Sequence, residues 1–94
     1  MVTYLKPEFD NRKSFYNKAV VQIEGNKKIL YSYNTRICSI VNNVFHKYWN
    51  GYTATTMRHI SEFRLQNGLP AMGKKEWENL EVEDIWTYEP KKRF

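Results

Sequence analysis

Two dipeptides constrain this chain more than anything else in it: Gly25-Asn26 and Asn42-Asn43, each set between runs of β-branched and aromatic residues. A two-residue loop joins antiparallel strands only in a turn with positive φ, which Gly and Asn accept at little steric cost. Gly25 at the first central position predicts a type II′ turn joining strands 19–24 and 27–33, and Asn42-Asn43 a type I′ turn joining strands 35–41 and 44–49. Loop length then fixes the register: Glu24 opposite Lys27, Val21 opposite Leu30, Val41 opposite Val44, Ile40 opposite Phe45, Arg36 opposite Trp49. Ala19, Val21, Ile23 and Leu30 share one face, Tyr31 and Tyr33 the other, and Asn34 marks the corner between the hairpins.

The pattern changes period after Gly51. Ala54, Met57, Ile60 and Phe63 recur every third residue, Thr53 or Thr55 supplies a cap, and Asn67-Gly68 stops the run, which predicts a helix over 53–68. Leu69, just past the glycine, is expected to fold back onto Phe63 or the stem of Arg64. A shorter helix is read over 74–80 with Trp77 and Leu80 on one side, and Ile85-Trp86-Thr87-Tyr88 as a brief strand or extended tail. Residues 1–18 lack a regular period and read as an arm with aromatic anchors lying over the sheet. Sheet followed by helix gives an α+β fold: a three- to four-stranded antiparallel meander against one main helix, with a short second helix and an extended tail, all in a single domain over 1–94.

Charge is distributed unevenly over this plan. Residues 11–75 hold eleven Lys or Arg against two acids, Glu24 and Glu62, while residues 76–94 hold six acids against three bases. Such a basic stretch points to a polyanionic partner, either nucleic acid or a protein wrapped around it. Basic and aromatic residues interleave along the sheet, and Lys18, Lys27, Lys28, Tyr31, Tyr33, Arg36, Lys47, Trp49 and Arg58 are the candidate contacts, with cations for phosphates and rings for bases. Thr53, Thr55 and Thr56 at the helix start add hydroxyls to free N–H groups, a candidate anion site.

Several chemistries fit poorly. Cys38, His46 and His59 are scattered and form no clustered zinc-ligand set, and both histidines read as surface or boundary residues. Cys38 falls opposite Lys47 in the predicted register, a neighbour that would lower a thiol pKa, yet a strand cysteine is usually a small hydrophobe. A metal-dependent nuclease needs converging carboxylates, and the basic stretch offers only Glu24 and Glu62. The chain is therefore read as non-enzymatic and without a cofactor. With one cysteine, no apolar leader and no apolar run of the roughly 18–20 residues that span a membrane, it is expected to be soluble and cytoplasmic, with no membrane partner.

Three strings carry a resemblance: Lys13-Ser14-Phe15-Tyr16-Asn17-Lys18-Ala19; Leu30-Tyr31-Ser32-Tyr33-Asn34-Thr35; and Ala54-Thr55-Thr56-Met57-Arg58-His59-Ile60-Ser61-Glu62-Phe63, ending in Gln66-Asn67-Gly68. In order and spacing, over residues 13–68, they resemble a group of small uncharacterised proteins encoded by phages and prophages of Gram-positive bacteria. That group has no assigned activity. The resemblance implies a mobile-element product acting in the bacterial cytoplasm, where small accessory phage proteins tend to block host machinery, CRISPR nucleases prominently among it. The expectation is an accessory protein that binds and inhibits a host nuclease or nucleoprotein complex. The alternative is a basic module that binds DNA or RNA directly in phage replication or regulation.

Overall fold

The structure, a computed structural model, describes residues 1–83. The expected strand at Ile85–Tyr88, with Trp86, lies outside the described residues. Seven elements follow in order: β1 (Val2–Tyr4), β2 (Ala19–Glu24), β3 (Lys27–Ser32), β4 (Thr35–Val41), β5 (Val44–Lys47), α1 (Ala54–Gln66) and α2 (Lys74–Asn79). The sheet is one antiparallel meander in the order β1-β2-β3-β4-β5. The fold is α+β, with five strands rather than three or four.

The extra strand comes from the arm. Val2, Thr3 and Tyr4 pair with Gln22, Val21 and Val20, so the start of the chain extends the sheet in its own plane instead of lying over it. Leu5 and Phe15, 5% and 6% exposed, are the anchors that reach the core, whereas Phe9 is 60% exposed.

Both turn dipeptides close hairpins. Glu24 pairs with Lys27 across Gly25 (φ 57°), and Val41 with Val44 across Asn42 and Asn43 (φ 51° and 68°). A third tight turn replaces the expected corner: Ser32 pairs with Thr35 across Tyr33 and Asn34, at φ 51° and 68°. β3 therefore ends before Tyr33, and every neighbouring strand pair from β2 to β5 is a two-residue hairpin.

β4 is irregular. The register slips between Leu30 and Tyr31, so Leu30 pairs with Cys38 and Tyr31 with Arg36, and the extra residue, Ile37, joins Cys38 in the core. Ile37 also gives its carbonyl to the N–H groups of Tyr48 (2.8 Å) and Trp49 (3.2 Å). This draws the chain off the ladder after Lys47. Trp49 consequently does not face Arg36, whose guanidinium sits 5.4 Å from the Tyr31 ring instead.

Both helices pack on one face of the sheet. Val21, Leu30, Cys38 and Ile40 meet Met57, Ile60 and Phe63 of α1 and Trp77 of α2 in a single core. Thr53 caps α1, its hydroxyl accepting the Thr56 N–H at 3.0 Å. At the other end Gly68 (φ 82°) lets its own N–H reach the Leu65 carbonyl and that of Leu69 the Arg64 carbonyl, the paired bonds of a Schellman motif, and Leu69 packs on the core. Trp77 is fully buried, donates Nε1–H to the Gly51 carbonyl at 2.8 Å and packs edge-on against Phe45; Leu80 lies beyond α2, 37% exposed. Glu83 donates its N–H to the Lys47 carbonyl (2.7 Å), covering part of the β5 edge. No helix among the described residues is long and apolar enough to cross a membrane.

Candidate nucleic-acid interface

Helix α1 has two buried stripes side by side. Met57, Ile60 and Phe63 form the apolar one; Thr56, His59 and Glu62, each one position earlier, form a polar one that is also buried. The polar stripe organises everything around the start of the helix. Ser32, the last residue of β3, lies 2.8 Å from His59 Nδ1 and 3.2 Å from the Thr56 hydroxyl. The His59 ring meets Phe15 edge-on at 4.7 Å and stacks with Tyr33 at 6.1 Å. Burial pushes the imidazole down to about 4, only partly opposed by the Asp10 carboxylate, so the ring is neutral at physiological pH.

Glu62 holds the arm. Its carboxylate accepts the backbone N–H groups of Glu8 (2.9 Å), Phe9 (3.0 Å) and Asp10 (2.9 Å) as well as Gln66 Nε2 (2.6 Å). Three successive amides converging on one carboxylate make a nest of the kind that binds anions, here filled by the protein's own side chain. The arm so fixed delivers Asp10 to Arg58, with Nη1 2.9 and 3.1 Å from the two carboxylate oxygens. Burial alone would raise the Asp10 carboxyl, but the Arg12 N–H and the guanidiniums of Arg58 and Arg12 together hold it below its ordinary value. Arg58 keeps 41% of its side chain exposed, so it faces solvent while paired.

Two adjoining cavities open beside these groups and share Tyr33 and Thr55. One, of about 290 Å³, has Arg12, Lys18 and Arg58 around it, with Tyr16 and His59 in its walls. The other, of about 360 Å³, is walled by Trp49, Ile37, Thr53 and Thr56. Trp49 is pressed against Gly51: a β-carbon at position 51 would fall 2.2 Å from Cζ2 of the indole. The result is a groove at the positive end of α1, with three cations and one partly buried carboxylate, an arrangement suited to a phosphate-bearing chain.

The structure brings some of the anticipated residues together and separates others. Lys18, Tyr33, Trp49, Thr53, Thr55, Thr56 and Arg58 meet at the groove. Thr53 and Thr56 spend their hydroxyls on the cap and on Ser32, and Thr55 is exposed. Lys28 reaches to the far end of α1, where Nζ donates to Asn67 Oδ1 at 2.6 Å. Lys27, Tyr31 and Arg36 lie on the sheet face turned away from the helices, where the Tyr31 hydroxyl bonds Gln22. Lys47 is in the interior, 2% exposed: its ammonium donates to the carbonyls of Trp77 (2.7 Å) and Leu80 (3.1 Å) and lies 4.6 Å from the Trp77 ring. It offers no surface contact, and alternation along β5 explains why, since its side chain points to the core face with Phe45.

The remaining chemistry is also placed. Cys38 does face Lys47 across the ladder, but burial raises its thiol well above the ordinary value, which leaves an unreactive sulfur. Both histidines are buried rather than superficial, and His46 Nδ1 lies 3.0 Å from Glu83 Oε1. Among the described residues no group of three His, Cys, Asp or Glu is placed to hold a metal ion. Arg12 and Tyr16, which were not among the candidate contacts, belong to the groove, and the repeated dipeptide Tyr-Asn at 16–17 and 33–34 was the signal for the latter.

These features define a small α+β domain, a five-stranded meander whose main helix opens onto a basic, aromatic-walled groove. Residues 3–79 match a family of unknown function, DUF8033, and the chain belongs to that family. The matched span runs from β1 to the last residue of α2 and contains every groove residue, a wider extent than the 13–68 of the sequence resemblance. No curated protein and no solved structure matches the chain.

Proposed function

We propose that this protein is a non-enzymatic accessory protein of a phage or related mobile element, acting in the bacterial cytoplasm, that grips the nucleic acid of a host nucleoprotein and thereby inhibits it, a nuclease effector of the CRISPR type being the favoured target. The observation that carries the reading is the convergence of Arg12, Lys18 and Arg58 with Tyr16 and Tyr33 on one groove. Cations neutralise phosphates whatever the sequence, and rings add stacking on any base, so such a surface suits nucleic acid already exposed within a complex.

A pull-down from bacterial lysate, with and without nuclease digestion, tests the reading. Capture of a nuclease complex that is lost on digestion, and lost with a Lys18→Glu, Arg58→Glu variant, is the expected result; capture of no nucleoprotein by the wild type overturns it. The alternative role, direct DNA or RNA binding in replication or regulation, uses the same groove. It predicts retardation of free nucleic acid with a log–log salt slope of about −2 if three phosphates are neutralised on a single strand, and no inhibition of a host nuclease.

A further inference from the structure

Two turns in this chain carry the same dipeptide in the same unusual conformation. Tyr16-Asn17 has φ of 54° and 60°, and Tyr33-Asn34 has φ of 51° and 68°. Asparagine and glycine enter this left-handed region readily, but a tyrosine there crowds its β-carbon against the backbone. The remaining residues at positive φ, Asn42, Asn43, Gly25 and Gly68, are all of the permissive kind, so these two tyrosines are the only aromatic residues so held among the described residues.

Core packing does not account for them. Tyr16 is 74% exposed and Tyr33 53%. The turns stand next to each other, since the Tyr33 N–H donates to the Lys18 carbonyl at 2.9 Å, and both tyrosines line the same cavity of about 290 Å³. Tyr33 is also backed by stacked rings: His59 lies 6.1 Å beneath it at 30°, and Phe15 meets His59 from the core. Strained backbone that presents exposed side chains on a rigid footing, beside a cluster of cations, is a pattern of binding sites rather than of turns made for stability.

We infer that this cavity seats one unpaired base of a single strand, stacked on Tyr33 and flanked by Tyr16, with the neighbouring phosphates on Arg12, Lys18 and Arg58. The inference rests on the nucleic-acid reading above and narrows it from any phosphate-rich chain to single-stranded DNA or RNA. Cations alone do not make that distinction, because they read only phosphates. Rings do: in a duplex each base face is already covered by its neighbours, whereas an unpaired base can be splayed out and stacked.

The test uses the whole protein and fluorescence polarisation at low salt against a short oligo-thymidine, an oligo-uridine and a duplex of equal length. Both single strands should bind more tightly than the duplex. Tyr16→Asn and Tyr33→Asn should each weaken single-strand binding by roughly tenfold, leaving duplex binding and the salt slope unchanged, while Tyr33→Phe retains it. Because asparagine suits positive φ, Tyr16→Asn should leave the melting temperature equal or higher, which separates lost binding from lost folding. Equal binding of single strand and duplex, with both Asn variants like wild type, overturns the base seat and leaves the phosphate-gripping reading intact. Failure to bind any of the three probes at low salt overturns both.

Discussion

Single side chains in this protein do work that their type does not announce. His59 is buried between Phe15, Ser32 and Tyr33 and titrates near 4 when folded, against 6.5 for the free side chain. The unfolded chain therefore takes up a proton at a higher pH than the folded one, so stability is full above pH 6.5 and declines as pH falls from 6.5 towards 4. The loss should reach about 3 kcal/mol, since each pH unit of difference is worth roughly 1.4 kcal/mol. Urea unfolding at pH 7 and pH 4.5 measures it, and His59→Gln should flatten the dependence in that window. Asp10, held low chiefly by Arg12 and Arg58 against its own burial, adds a further loss only below its ordinary value of 3.8. Lys47 is the second case. Lys47→Met removes the donor to the Trp77 and Leu80 carbonyls and should lower stability by about 1–3 kcal/mol, read from the same unfolding curves. Neither role was legible in the sequence: a lysine alternating in a strand looks like a surface residue until the face is known, and a histidine beside an apolar stripe looks like a boundary.

At the level of elements, α1 is tied at both its faces, to the sheet by apolar packing and to the arm by Glu62. Glu62→Ala would leave three backbone N–H groups without their acceptor and release residues 8–10, and with them Asp10. We expect a destabilisation of about 2–4 kcal/mol, together with faster limited proteolysis between Lys6 and Lys13 than in wild type. Intact resistance to trypsin in that variant would show that β1 and Phe15 hold the arm unaided. The two hairpins and the main helix were legible because Gly25-Asn26, Asn42-Asn43 and Asn67-Gly68 are turn and stop signals with a local physical cause, although the strands end at Ser32 and Lys47 rather than at 33 and 49 and the helix runs Ala54–Gln66. Where the cause was not local the sequence was silent. Three residues, Val2–Tyr4, are too short a run to declare a strand, Tyr33 is a poor advertisement for a turn, and the bulge at Ile37 falls where no glycine or other local signal marks it. The groove divides along the same line: Thr53, Thr55 and Arg58 follow from the helix start, but Arg12 and Tyr16 arrive only through the folding back of the arm.

Across the whole molecule, strands neighbouring in sequence are neighbours in space, so sheet pairing involves short chain closures while the contacts of the arm with Glu62 of α1 span 52 to 54 residues. The molecule should open from its margins. Amide exchange is expected to be slowest in β3 and α1 and fastest in β1 and α2, with the β1 amides exchanging through an opening that leaves Leu30 and Ile60 protected. Uniform protection across all seven elements would mean instead that the domain opens only as a unit. The margins and the centre can also be told apart by a single atom. Cys38 is the sole cysteine, sits at 0% exposure in β4 beside the central strand β3, and has an inert thiol while the sheet is closed. A thiol-directed dye can therefore mark the chain at no other cysteine and only after its centre has parted. The protein thus carries its own stopwatch for complete opening, readable by mass at nanomolar amounts and unaffected by fraying of the arm.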